Sequence, residues 1–493
     1  MLISYYFDNP NLQIQKVNDF FTNIFNTIEL AKPTVSSLTK KYKSKSPTIS
    51  SDKIKEPIYD EEFLKTFLQL DPVEINSLKL SHEIFMKNTP NSIPNDLNYV
   101  GNGIVYAGGG KYNWLTLLSI KSLRRTGSTL PVEVLIPTID DYEIDLCTQI
   151  FPSLNARCIF LPEVLGKNVI QNFKFKGYQY KVFAILASSF QNVLLLDSDN
   201  MPAIKPDYLF DSEVFQDNGL VTWPDFWRRT TSPYFYDIAD VHVGERIRFG
   251  YTNYGIYTHG ISVQDEKNIS KVPFHDREGA IPDSSTESGQ LLVNKKTHFK
   301  MLLLSLYYNT YGPDHYYPLL SQGSTGEGDK DTFLAAAVKT GSKFYQVNKF
   351  VGVLGYNADG GYHGTSMVQH DPVEDYQKFQ KNANILNLIN EDENDLVLKP
   401  ASPKIVFVHS NFPKLNPAAL KKNKILVDKE EKRHRYYSKN KIEGFDLELK
   451  IWEDMRYFIC ELQLKLLAFG GMGTDDICEE LNEQIKYLES TTI

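Results

Sequence analysis

Two aspartates, Asp197 and Asp199, flank one serine, Ser198, directly after the apolar run Val193-Leu194-Leu195-Leu196. Alternate residues of an extended segment point the same way, so both carboxylates can converge on one hard divalent cation while the small Ser198 leaves room for a phosphate. The competing use of the same residues is an Asx turn that ends the strand. Far downstream, the strand-like run Lys404 to Val408 ends in His409, followed by Ser410-Asn411-Phe412-Pro413-Lys414. An imidazole at a strand end can complete a metal shell, and a mixed nitrogen and oxygen set suits Mn²⁺ better than Mg²⁺. Lys414 is then placed to neutralise a diphosphate. In isolation, His409 reads as a solvent-facing strand end with a capping Ser; paired with the two aspartates, the ligand reading stands level with it.

Other segments carry weaker signals. Gly108-Gly109-Gly110-Lys111 follows Ile104-Val105-Tyr106-Ala107 but completes neither the G-x-x-x-x-G-K-[ST] nor the G-x-G-x-x-G pattern, which counts against kinase and dinucleotide readings. What remains is close approach of backbone at Gly109 to a ligand, with Tyr106 and Lys111 at the crevice. Lys181 opens an apolar helix and either reaches a phosphate or lies on the surface. Two acidic, glycine-containing loops follow, one with Glu287 and Gln290 and one with Glu327, Asp329 and Asp331. Asp331 suits a helix N-cap, whereas Glu327 and Asp329 suit recognition of sugar hydroxyls. Trp223-Pro224-Asp225-Phe226-Trp227 holds two of the 4 tryptophans and reads either as a stacking surface for a sugar or base or as a core cluster.

The elements that must position these residues alternate. Strand, glycine turn, helix Tyr112 to Arg125 and strand Val132 to Ile136 form one βαβ unit. The strand Ala156 to Phe160, the helix Tyr178 to Ser189 and the strand Val193 to Leu196 form a second. Contiguous apolar residues mark that last strand as buried on both faces. A doubly wound sheet puts its ligand crevice beyond the carboxyl ends of its strands, where the motifs stand. Ahead of this lie an amphipathic helix from Asn11 to about Leu30, a Lys- and Ser-rich stretch Lys32 to Lys55 that reads as a linker, and helical periodicity over Glu61 to Leu80. Lys421 to Ile493 reads as a charged helical appendage.

Across 493 residues, 53 Lys and Arg against 61 Asp and Glu give a net charge of −8, which argues against nucleic acid as a partner. Cys147, Cys158, Cys460 and Cys478 are too scattered for a disulfide scaffold, yet leave room for one or two bridges. No apolar run reaches the roughly 18 to 20 residues of a membrane span, and the N-terminus does not read as a signal peptide.

From about Tyr106 to Pro417 the chain resembles the fungal Golgi mannosyltransferases that build the outer chains of cell-wall mannan. The resemblance rests, in order, on Gly108-Gly-Gly-Lys-Tyr-Asn-Trp114, Leu194-Leu-Leu-Asp-Ser-Asp-Asn200, Trp223-Pro-Asp225, Glu287-Ser-Gly-Gln290, Gly326-Glu-Gly-Asp-Lys330 and His409-Ser-Asn-Phe-Pro-Lys414. It is similar above all to the α-1,2-mannosyltransferases that attach the first branch mannose to an α-1,6-linked backbone, with α-1,3 enzymes second.

That resemblance implies an α/β fold of GT-A type, Rossmann-like with a mostly parallel central sheet. The implied organisation is a helical stem over residues 1–95, a catalytic domain over 96–425 and a helical extension over 426–493. It further implies GDP-mannose as donor, Mn²⁺ on Asp197, Asp199 and His409, and retention of configuration. Lys181 and Lys414 would face the diphosphate, with Tyr106, Gly109, Lys111 and Ser198 also on the donor side. Glu327 and Asp329 would orient the donor sugar or acceptor hydroxyl, and Trp223, Asp225, Glu287 and Gln290 would contact the acceptor or the transferred sugar. The implied partners are mannan or N-glycan acceptors and a Golgi mannosyltransferase complex, although the family's membrane anchor has no counterpart in this sequence. A lumenal location also fits the glycosylation triplet Asn268-Ile269-Ser270. The rival expectation is a mannan-binding subunit without catalysis.

Overall fold

Along the run Val193 to Leu196, Val193 and Leu195 point into one hydrophobic cluster and Leu194 and Leu196 into another. Side chains alternate across a strand, so a run apolar at every position must be covered on both faces. The computed structural model describes residues 10–50, 57–95, 97–247, 251–252, 255–256, 269–378, 402–437 and 441–492. Asn268, of the glycosylation triplet, lies outside the described residues.

The strands are β1 (Asn102–Ala107), β2 (Val132–Ile136), β3 (Ala156–Phe160), β4 (Asn192–Leu196), β5 (Asn200–Pro202), β6 (Leu220–Pro224), the ribbon β7 (Tyr251–Thr252) with β8 (Gly255–Ile256), β9 (Thr286–Asn294), β10 (Tyr345–Gln346), β11 (Gly352–Ala358), β12 (Gly361–His370) and β13 (Ile405–His409). Seven form the central sheet in the order β10-β6-β9-β4-β1-β2-β3. Every pairing in it is parallel except those that β9 makes with β4 and β6. This is the Rossmann-like, mostly parallel α/β sheet expected. The chain winds outward from β1 to β3 and returns to β4 on the other side of β1, so the topological switch point lies between β1 and β4.

A second, antiparallel sheet has the order β11-β12-β13-β5. Its edge strand β5 starts at the residue after Asp199, and β13 pairs with it so that His409 lies opposite Asn200. The short crossing from β4 to β5 therefore joins the two sheets and carries both aspartates.

One face of the central sheet is covered by the helices Pro10–Leu30, Pro72–Asn88, Tyr180–Ala187, Lys295–Thr310 and Thr332–Thr340, the other by Asn113–Arg125, Leu447–Arg456, Thr474–Thr491 and the second sheet. Phe21, Phe25 and Ile28 of the first helix share a cluster with Leu195, so the segment expected as stem packs into the core of the sheet. Helical periodicity over Glu61 to Leu80 resolves into two helices, because Asp71 and Glu74 form a capping box and Pro72, which lacks an N–H, opens a new helix. The linker expectation for Lys32 to Lys55 is corrected where that stretch is described. Leu38 is fully buried, and backbone bonds tie Lys43 N–H to the Phe67 carbonyl and Ser46 N–H to the Gln322 carbonyl, at 2.8 and 2.9 Å. No described helix is long and apolar enough to cross a membrane.

All four cysteines pair, Cys147 with Cys158 and Cys460 with Cys478, with Cα atoms 5.5 and 5.7 Å apart. The second bridge closes a separation of 18 residues between the two C-terminal helices. Removing it with Cys460→Ser and Cys478→Ser is expected to cost about 3 kcal/mol through the freed denatured chain. Urea unfolding under oxidising conditions reads this directly, and an unchanged midpoint would contradict it.

Candidate active site

The carboxyl ends of β1, β4 and β6 and the entry of the antiparallel β9 meet along one edge of the sheet. In register, Tyr106 pairs with Leu196 and Leu196 with Gln290, so the segments after β1 and β4 and before Gln290 converge. Gly109 makes the turn after β1 with φ +102°, and a Cβ there would meet Pro137 Cδ at 2.6 Å. Its N–H donates to Asn113 Oδ1 at 2.8 Å, fastening the loop to the helix that follows.

At the centre, Asp197, Asp199 and His409 each offer a ligand atom, all within 4.8 Å of one another. His409 Nε2 is 3.1 Å from Asp199 Oδ1 and 3.9 Å from Asp197 Oδ2. The other ring nitrogen, Nδ1, lies 3.6 Å from Glu287 Oε1, which accepts the Gly289 N–H at 2.5 Å. Lys181, in the first turn of its helix, is buried rather than on the surface, with Nζ 2.9 Å from Asp197 Oδ2 and 3.8 Å from Asp329 Oδ2. It also donates to the Ser288 hydroxyl and carbonyl, at 2.9 and 3.2 Å. Lys414 Nζ sits on Asp199 Oδ2 while remaining 44% exposed. Asp197 keeps 20% of its side chain open, so the cluster can be reached from the crevice.

Four carboxylates, on Asp197, Asp199, Glu287 and Asp329, thus face two ammonium groups and one imidazole, an excess of negative charge in a buried setting. Burial opposes ionisation of Asp199, but His409 and Lys414 outweigh it and hold the group below its usual range. Glu287 is likewise pulled down to about 2, against burial, by His409, Lys181 and Lys330. Burial raises Asp329 to about 6 despite Lys181, with Asp197 and Glu287 adding to the rise. His409 is driven up to about 10 against its own desolvation by Asp199 and Glu287. Two carboxylates, an imidazole and surplus negative charge are a donor set that fits a divalent cation. Glu287 then stands behind the imidazole as the carboxylate that orients it.

A mannosyltransferase family model matches residues 101–371. The chain is 46% identical to the α-1,2-mannosyltransferase MNN21 of Candida albicans, over 97% of this chain and 76% of that protein. It is 37% identical to the α-1,2-mannosyltransferase MNN2 of Saccharomyces cerevisiae, over 98% of this chain and 87% of that one. The chain belongs to this mannosyltransferase family. Likeness to solved structures is remote. A glycosyltransferase of Streptococcus pneumoniae matches at a TM-score of 0.27 and 16% identity, over 50% of this chain and 45% of that one.

The mannosyltransferase brings together Asp197, Asp199, His409, Lys181, Lys414, Asp329 and Glu287, and leaves other expected residues elsewhere. Tyr106 is fully buried with its hydroxyl 2.8 Å from Ser119 Oγ, in the core cluster behind the sheet rather than at the crevice. Trp223 is fully buried too, its indole N–H donating to the His370 carbonyl at 2.8 Å, so it packs the core instead of stacking on sugar. Lys111 is exposed, 5.4 Å above the Tyr112 ring. Ser198 donates to the Ala107 carbonyl at 3.1 Å, spending its hydroxyl on the end of β1. Gln290 is buried and accepts from Asn200 Nδ2 at 2.7 Å, behind the site. Asp225 is held by Lys330 Nζ at 2.5 Å, and burial raises its carboxyl despite that partner. Glu287 faces His409 rather than open space for an acceptor, and Glu327 closes its own loop by accepting the Gly323 N–H at 2.9 Å.

Residues not anticipated complete the mannosyltransferase site. Asn200 bridges Gly289 O and Gln290 Oε1, both at 2.7 Å, and the Ser410 N–H donates to Asp199 O at 2.9 Å. Both lie within the motifs that carry the resemblance, next to a metal-site candidate, which was the available signal. Gly289 is needed for space: a Cβ there would lie 2.5 Å from His409 Nδ1 and 2.8 Å from Glu287 Oε1. Gly289→Ala is expected to turn the imidazole and weaken divalent-cation binding at this cluster, probed with Mn²⁺, by roughly tenfold. A titration followed by the electron spin resonance of free Mn²⁺ measures it, and unchanged affinity would contradict the role given to this contact.

Proposed function

We propose that this enzyme is a retaining, metal-dependent α-1,2-mannosyltransferase that moves mannose from GDP-mannose to the α-1,6-mannan backbone of N-linked glycans. The observation that carries the proposal is the convergence of Asp197, Asp199 and His409 at the switch point of the sheet, flanked by Lys181 and Lys414. The names of the relatives favour the α-1,2 linkage. Asp197, Asp199 and His409 would hold Mn²⁺, which supplies Lewis-acid stabilisation of the leaving diphosphate. Lys181 and Lys414 are preorganised positive charges aimed where negative charge grows, the arrangement that stabilises a transition state without reorganisation. Asp329, beside Lys181, is the carboxylate placed to orient a sugar hydroxyl. In a retaining reaction no protein base has to activate the acceptor from the opposite face. That suits a site whose carboxylates all have cationic or hydrogen-bonding partners.

Two disulfides suit an oxidising compartment, and with the family resemblance they support the Golgi lumen as the place of action, within a mannosyltransferase complex. The decisive experiment incubates the protein with GDP-mannose, Mn²⁺ and an α-1,6-mannooligosaccharide, with linkage analysis of the product. An α-1,2-linked branch is the expected result. An α-1,3 branch would reassign the linkage, and transfer undiminished by a chelator would overturn the metal.

A further inference from the structure

We infer that the N-terminal segment from Tyr42 to Ser50 is a working part of the transferase site, a strap that sets the acidic loop Gly323 to Asp331. That loop delivers Asp329 to Lys181 and Lys330 to Asp225, yet it contains glycines at 323, 326 and 328. Glycine leaves its backbone free to take many conformations, so its productive setting must come from partners.

Most of the partners for its first half come from the strap. Tyr42 donates from its hydroxyl to Glu327 Oε2 at 3.1 Å, the same oxygen that takes the Gly323 N–H. Thr48 Oγ1 accepts the Thr325 N–H at 2.9 Å and bonds Thr325 Oγ1 at 2.8 Å. Ser46 N–H donates to the Gln322 carbonyl at 2.9 Å. Gly323 has φ +74°, and a Cβ there would stand 2.8 Å from Lys45 Cγ, so the strap approaches as closely as a glycine permits. Beyond the loop, the strap's Ile49 carbonyl accepts the Arg228 N–H at 2.8 Å, and Ser50 bridges to Trp227. Its other end is fixed by the Tyr42 bridge to Leu68 and by Lys41 Nζ on Glu74 Oε1 at 2.6 Å.

Tyr42 and Thr48 are therefore positioning residues: neither reaches the acid cluster, and both act through the loop that does. A displacement of about 1 Å in such a loop can cost up to roughly a hundredfold in rate. The inference rests on the proposed donor only for the assay substrate.

The test compares wild type, Tyr42→Phe, the double variant Tyr42→Phe/Thr48→Val, and Thr48→Ser, which keeps the hydroxyl. Hydrogen exchange of the Gly323 to Glu327 amides, thermal unfolding, and kcat and KM with GDP-mannose are measured on each. The double variant is expected to exchange this loop faster and lose about tenfold in kcat, with KM for the donor within about twofold and the unfolding temperature nearly unchanged, whereas Thr48→Ser follows wild type. Faster exchange with wild-type kcat would overturn the positioning role, and unchanged exchange would overturn the strap itself. If the double variant fails to fold, Tyr42→Phe alone decides by the same two measurements. An inactive wild type would count against the donor reading and leave the exchange measurement to decide the strap; a double variant with wild-type kcat would count against the positioning role alone.

Discussion

Asp199→Asn is expected to lower kcat/KM for mannose transfer by about 10³-fold, equivalent to about 4 kcal/mol of transition-state stabilisation. The substitution keeps the shape of the side chain and removes its charge. Asp199 is 4% exposed, receives Lys414 on one oxygen, lies 3.1 Å from His409 on the other and has its carbonyl tied to the Ser410 N–H. An amide in its place presents an N–H₂ to one of two cations and gives up the anionic site that they were built around. Mn²⁺ affinity is expected to fall with activity, and chelation of wild-type enzyme should produce a comparable loss. Ser198→Ala supplies the contrast, since that hydroxyl donates to the Ala107 carbonyl and accepts from Thr116 Oγ1, and its loss removes two neutral hydrogen bonds, about 2 kcal/mol of stability with little change in rate. An Asp199→Asn enzyme within tenfold of wild type would remove the aspartate from the transfer step.

The largest expected effect on stability lies beside the site, at Arg229. This side chain is fully buried. Its Nη1 donates to Asp331 Oδ1 at 2.6 Å, Nη2 to Ser284 O at 2.8 Å and Thr286 Oγ1 at 3.0 Å, and Nε to Pro282 O at 2.7 Å. It thereby fixes the entry of β9, and with it Glu287 and Gly289, to the end of the acidic loop. Arg229→Met leaves Asp331 buried with, among the described residues, only the Thr286 N–H as a donor, at 3.1 Å. Breaking one side of a buried ion pair costs about 3 to 5 kcal/mol. Arg229→Lys is expected to recover little, because one ammonium cannot serve a carboxylate and three further acceptors set around a planar fork. Adding Asp331→Asn to Arg229→Met should return part of the loss, since the uncompensated charge disappears with it. Denaturant unfolding of the four proteins measures the series, and a loss under about 1 kcal/mol for Arg229→Met would refute the account.

How legible the site was depends on what each inference used. Asp197, Asp199 and His409 could be read because strand ends in a doubly wound sheet are constrained in space, and apolar runs reveal where strands end. Tyr106 and Trp223 went astray for a related reason: which way a strand-end side chain points depends on the pleat, and a run apolar at every position hides its own alternation. Both rings instead joined the cluster that holds Leu194 and Leu196. The strap was missed because its anchors are largely backbone groups and hydroxyls, which leave no hydrophobic period. Lys181 was underdetermined in the same way, since nothing near it in sequence announces the carboxylates that bury it.

The pairing of β13 with β5 couples the two halves of the candidate site. His409 reaches the aspartates because it is zipped opposite Asn200, not because the intervening chain has a particular length. A substitution that unzips β13 from β5 would therefore separate the imidazole from the carboxylates without altering any of the three side chains. The second sheet thus serves less as a covering layer than as the clasp that closes the cluster.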